Sequence, residues 1–414
     1  MTPNTAAFDH WIRTSFVEMN TALEELYIAS GNGLEVDGVG DSIKYAIRDE
    51  GAALIQALLA EGKTNDGSAE AFALLGNVGM YLGSMRRHEL TNPDHEDRSP
   101  FEEASALAIH IGTSIGMAPR FATAHLATHN LAVDGVRKSF TSLPDEFLFI
   151  DENTRAILSF QSAADALVRI SDLGVSSPVA DILFGQAAAA LRMVAVINAR
   201  LFLKLNVDRF FCNVRPYYKP YRVGRTIWRG ANAGDFAGIN EIDLLLGLCR
   251  ANDPYYAQLL IDKLPFMMPG EQQRLRACMN RRSLLDQLLD AADHQSDAPW
   301  FRANAAALLE LCDLFAVTAR QHHDQLVNKF IQLPAGAIQP GKLTGITASG
   351  PPLEVMIRSL ETLRNLRCAV ASGAAASRHA DLARLAEALS TVDDTGMTTR
   401  EMSGPGSGHD IGAI

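Results

Sequence analysis

Apolar residues recur at spacings of three and four along almost the whole chain, the period of helices that each bury one stripe. In "FDHWIRTSFVEMNTALEELYIAS" the stripe runs to the "GNG" turn at residues 31–33, where glycine takes the left-handed conformation that ends a helix. The same period predicts further helices at about 41–62, 68–90, 99–113, 119–132, 151–172, 176–205, 240–250, 255–263, 270–293, 299–331, 352–372 and 376–390. Ser99-Pro100-Phe101-Glu102 has the spacing of a capping box for the third of these. Extended pieces are predicted only at "EFLFID" (146–151) and "YRVGRTIW" (221–228), too little edge for a large sheet. The pattern predicts an all-α fold: a small N-terminal helical domain over 1–145, a large helical domain over 146–390, and a flexible Gly/Ser/Thr-rich tail over 391–414.

Composition narrows the class of partner. The 414 residues are 47% hydrophobic and 21% charged, and their formal net charge is -11. That balance argues against nucleic acid and against an anionic membrane surface. Five scattered cysteines with no C-x-x-C pair read as reduced core residues, and the N-terminal stretch has no secretory pattern, so a cytoplasmic protein is expected. The longest apolar run, "AAAALRMVAVINARLFL", is interrupted by Arg192 and Arg200, and no membrane span is predicted. Sequence leaves the oligomeric state open.

Three stretches carry candidate chemistry. In "TARQHHDQLVNKFIQLPA" (318–335), α-helical spacing puts His323 on the apolar face with Ala316, Ala319, Leu326, Val327 and Phe330, and His322 on the wetter face. Spacing alone leaves His323 either a hydrogen-bonded core residue or a ligand with room for a flat group against the alanines. In "FFCNVRPYYKPY", Arg215 ends a helical pattern beside Phe210, Phe211, Tyr217 and Tyr218. An arginine fork among aromatic walls suits a carboxylate on an aromatic body, and equally caps a helix end. His125-x-x-x-His129 would share a helical face, yet no third ligand lies nearby to close a metal site. Phosphate-loop, zincin, nucleophile-elbow and kinase motifs are all missing from the sequence.

Together these pieces resemble, in order and spacing, the haem-dependent aromatic oxygenases that include indoleamine and tryptophan 2,3-dioxygenases. Within them the chain is most similar to the PrnB type, through "YLGSMRRHEL", "SFTSLPDE", "VRPYYKPYRVGRTIWRG" and "HHDQLVNKFIQLPA". The resemblance implies the helical fold of that family with haem b in the larger domain and His323 as axial iron ligand. It also implies dioxygen as co-substrate and an electron donor that keeps the iron ferrous. Arg215, Phe210, Phe211 and Ser349 fall on substrate-binding positions for an aromatic amino acid, tryptophan or a ring-substituted tryptophan. Gly238 and Gly350 fall on cofactor-side loop positions, and His125 is the expected distal catalytic group. Ring cleavage, hydroxylation of an aromatic amino acid, or non-catalytic haem binding are the alternative outcomes. The chain departs from the dioxygenases at Pro351 and Pro352, where they have glycines, and from the PrnB type at Phe330 and Ile331, which supply no tyrosine hydroxyl.

Overall fold

Helices account for nearly all regular structure, and their boundaries follow local stop signals. The computed structural model describes residues 2–31, 33–62, 67–333, 352–371 and 377–395. The predicted first helix is two, α1 (Pro3–Arg13) and α2 (Ser15–Ala29), separated at Thr14. Next come α3 (Asp41–Glu61), α4 (Ser68–Arg87) and α5 (Glu102–Ile115). The capping box expected at Ser99 does not form: α5 begins at Glu102, and the Ser99 hydroxyl accepts from the Phe101 amide instead.

The helix expected over 119–132 shrinks to the single turn α6 (Thr123–Leu126). Conversely, "EFLFID" is not a strand. It lies in α7 (Pro144–Leu173), where Pro144 starts the helix and Asp145 and Glu146 suit its positive end. The antiparallel partner of α7 is α8 (Ala180–Lys204), which also packs on α14 (Pro299–Arg320). Between them in sequence come a short turn α9 (Val207–Arg209), then α10 (Ala237–Leu246), α11 (Pro254–Lys263), α12 (Pro269–Met279) and α13 (Leu284–Gln295). The chain closes with α15 (Leu353–Arg367) and α16 (His379–Thr395). The extended piece expected at 221–228 is a hairpin, pairing Tyr221–Val223 with Thr226–Trp228.

Apolar burial divides into two large clusters. One gathers α1 to α5 around Phe8, Phe16, Tyr27, Tyr81 and Phe121, but it also recruits Leu201, Phe210, Tyr217, Tyr221 and, from far along the chain, Phe330. The other joins α7, α8, α10, α13 and α14. The N-terminal helices therefore share one core with residues 201–231. Arg215 lies within that stretch.

Candidate active site

The backbone around Arg215 departs from α-helix for a reason visible in the sequence. Pro216 has no amide hydrogen, so the Cys212 carbonyl loses its partner four residues ahead. The segment Phe210–Val214 winds as a π-turn, with the Arg215 amide donating to the Phe210 carbonyl. Arg87 of α4 takes up the freed group: its Nη2 donates to the Cys212 carbonyl at 3.1 Å and to the Gly33 carbonyl at 2.9 Å. The same guanidinium forms a two-pronged pair with Glu24 of α2, at 2.7 and 2.8 Å, and Glu24 accepts from Asn213 Nδ2 at 2.8 Å. Arg87, Glu24 and Asn213 are all buried. A charged pair taken out of water adds little stability over apolar packing, but it enforces geometry. Here it fixes the turn that presents Arg215.

Arg215 itself is 7% exposed, and its guanidinium carbon stands 5.5 Å from the Phe211 ring centre. Among the described residues it forms no ion pair, and its Nη1 has no hydrogen-bond partner. Burial without a counter-ion pushes its pKa down to about 10. Phe211 packs with Leu34, Cys212 and Leu353, the first residue of α15. Phe210 points the other way, 4.9 Å from Phe149 and 5.9 Å from Phe330 between ring centres. Phe330 thus links the arginine turn to the histidine segment. Beside them lies Lys219, half-buried, whose ammonium burial and Arg86 push down to about 7, with Glu89 3.9 Å away.

The histidine segment is also π-helical, over Gln321–Gln332, and the Leu333 amide donates to the Asn328 carbonyl five residues back. The α-helical spacing used to orient the two histidines therefore does not apply. With i→i+5 bonding, residues four and five further on stack over a side chain. His322 consequently shares its face with Leu326, Val327 and Ile331, all at least half-buried, whereas His323 shares its face with Val327 and exposed Asn328. His322 keeps accessible surface, yet burial, then Arg367, His323 and Lys263, push its imidazole down to about 4. His323 is half-buried beside Arg364, Asp324 and Glu361, and its Nδ1 is shut from solvent with no partner among the described residues. Lys263 donates to the Gly234 carbonyl at 2.9 Å and to Asn240 Oδ1 at 3.2 Å, while Arg367 grips buried Asp243 at 2.8 and 2.7 Å.

Two expected site residues are structural instead. His125 accepts from the Ala122 amide through Nδ1 at 2.9 Å and donates from Nε2 to the Phe72 carbonyl at 2.8 Å. Its ring stacks on Phe72 at 3.8 Å, and burial drives its pKa down to about 3. With both nitrogens committed to backbone it is not a distal acid or base. It closes the α6 turn, and a Cβ at Gly76 would come within 2.4 Å of it. The imagined His125/His129 face is absent because α6 ends at Leu126; His129 is exposed and bonds Thr128. Gly238 likewise lets α10 approach α7, since a Cβ there would sit 3.2 Å from the Gln161 amide nitrogen. Ser349 and Gly350 lie outside the described residues.

Sequence reasoning missed Glu24, Arg87, Lys219 and Lys263. The family likeness touched two of them, since "YLGSMRRHEL" contains Arg87 and "VRPYYKPYRVGRTIWRG" contains Lys219. No group of three or more His, Cys, Asp or Glu side chains able to hold a metal ion occurs among the described residues. The donor chemistry suits a macrocycle that brings its own metal. An imidazole with an unpartnered buried nitrogen and nearby cations for acidic groups fit haem, which asks the protein for one axial donor.

Residues 2–389 match the family model described as monodechloroaminopyrrolnitrin synthase PrnB. Since that match spans nearly the whole chain, the protein belongs to the PrnB family, helical oxygenases that modify tryptophan in secondary metabolism.

Proposed function

We propose that the protein is a haem-dependent oxygenase acting on tryptophan or a ring-substituted tryptophan in secondary metabolism. The observation that carries this reading is the buried Arg215 guanidinium, which has no carboxylate of its own and lies over an aromatic ring. A free α-carboxylate supplies the missing charge, and the ring system it carries has Phe211 as a wall. A haem carrier without an amino-acid substrate has no use for such a group. Ring cleavage to a formylated product and hydroxylation remain outcomes of the same architecture.

Haem b, with dioxygen and an external electron donor, supplies the oxidising power when bound. The chain's own contribution is placement. Arg215 fixes one end of the amino acid, the two-pronged Glu24–Arg87 pair holds the turn that carries Arg215, and Phe210 against Phe330 sets that turn against the histidine segment. His323 would donate to the haem iron, as the family likeness implies, and Lys263 near its neighbour His322, bonded only to neutral groups, would be a cation for the acidic groups of the cofactor, whereas Arg367 is committed to Asp243. The optical spectrum of haem-loaded single variants tests this directly. His323→Ala is expected to abolish or shift the Soret band while His322→Ala retains it. The opposite result would assign the donor to His322, which shares its face with Leu326, Val327 and Ile331.

A pH signature follows from Lys219. A carboxylate bound beside Arg215 favours the protonated ammonium, so binding is linked to proton uptake. The Kd for L-tryptophan is expected to fall severalfold as pH is lowered through about 7, and the Lys219→Met variant to lose that slope. A flat wild-type profile in isothermal titrations from about pH 6 to pH 8.5 would remove Lys219 from the site.

A further inference from the structure

Helix α8 is more apolar than its place in the fold requires. By length and composition it could cross a membrane, yet only 44% of its most apolar window is buried. Its inner face packs on α7 and α14. The outer face carries a stripe of Ile182, Gly185, Ala189, Met193, Val196, Ala199 and Leu203 at spacings of three and four. Ile182 is 62% exposed, Val196 60% and Leu203 83%. Leu158 of α7 and Val317 of α14, on the two helices that pack against α8, are also exposed. Scattered exposed apolar residues need no explanation, but an aligned stripe along a whole helix does.

The stripe has a second property. Reversing the helix about the midpoint between Arg192 and Met193 exchanges Ile182 with Leu203, and Ala189 with Val196. The same reversal exchanges Asp181 with Lys204, the oppositely charged ends of the helix, and neither has an ion pair within the chain among the described residues. Two copies packed antiparallel along α8 therefore bring large apolar residues level with each other at the ends. Small Ala189 comes level with Val196 nearer the middle, and an acidic end with a basic end. A parallel arrangement would put Asp181 beside Asp181 and align the two helix dipoles unfavourably. We propose that α8 is the two-fold interface of a homodimer, with its axis passing beside Met193.

The charges favour a second copy over a lipid surface. The formal net charge of -11 repels an anionic bilayer. A self-complementary patch also meets the requirement of an isologous interface, in which each contact occurs twice. The inference does not depend on the oxygenase reading, so either can fail alone.

The test uses the full-length protein. Light scattering coupled to size exclusion should return twice the 44.8 kDa of one chain. Val196→Glu buries an unpaired charge twice across the axis and is expected to raise the dimer dissociation constant by roughly a hundredfold or more, with helix content and melting of the monomer retained. Met193→Cys should form a disulfide-linked dimer under mild oxidation, whereas Ile182→Cys should not, because its copies lie at opposite ends. A wild-type monomer, a Val196→Glu variant that remains dimeric, or cross-linking through Ile182→Cys but not Met193→Cys would each overturn the proposal. So would a monomer that co-sediments with phosphatidylglycerol vesicles, which would make the stripe a lipid-facing surface.

Discussion

Replacing Arg215 with methionine is expected to weaken amino-acid binding and strengthen the fold in the same variant. Loss of a charge-assisted pair to a buried carboxylate costs about 2–3 kcal/mol, which reads as a roughly 30- to 150-fold rise in Kd. The free protein behaves oppositely. Arg215 is buried with no anion beside it and one nitrogen unpartnered, so an apolar side chain of similar length removes a desolvation penalty. Unliganded Arg215→Met should therefore be more stable than wild type by about 1 kcal/mol or more. Urea unfolding with and without L-tryptophan measures both effects. Were the variant several kcal/mol less stable and its affinity unaltered, the guanidinium would be a structural cap and the substrate reading of this site would fail.

A second large effect is expected at Glu24. Glu24→Gln strands the Arg87 guanidinium in the core with hydrogen bonds but no counter-charge, and breaking a buried pair in this way costs about 3–5 kcal/mol. The loss should appear in the urea midpoint. Because Arg87 also holds the Cys212 carbonyl and Glu24 holds Asn213, the turn before Arg215 loosens as well. Amino-acid affinity should fall in the surviving folded protein, and Arg87→Lys, which keeps charge but not the fork, should give a smaller loss of stability with a similar loss of affinity. A stability change below about 1 kcal/mol in Glu24→Gln would mean that the pair is solvated in solution.

Much of the fold was legible because helical periodicity is local. The stripe in α8, the extended piece at Tyr221–Trp228 and the start of α11 at Pro254 all follow from short windows of sequence. The misreadings have identifiable causes. "EFLFID" is a short apolar run like a buried strand, but Pro144 and two acidic residues begin a helix through it. The helix expected at 119–132 fails because the His125 ring captures the Ala122 amide and reaches across to the Phe72 carbonyl, 53 residues away in sequence.

The candidate site was legible in part. Arg215, Phe210 and Phe211 stood out by residue type beside Pro216, and the structure puts Arg215 over Phe211 while sending Phe210 towards Phe330. Which neighbours each histidine shares its face with was not legible, since a 3.6-residue period was applied to a π-helical segment. Glu24 and Arg87, 63 residues apart, carry no local mark of their pairing.

The shared core of the N-terminal helices and residues 201–231 defines what can be exchanged between relatives. A chimera joined near residue 145 would pair one parent's Glu24 and Arg87 with the other's Cys212 and Asn213, mismatching a buried contact set across the junction. Grafts intended to change substrate preference should move residues 2–145 together with 201–231, leaving α10 to α16 as the recipient. Inheritance of substrate choice would then follow a unit that is discontinuous in sequence and continuous in space.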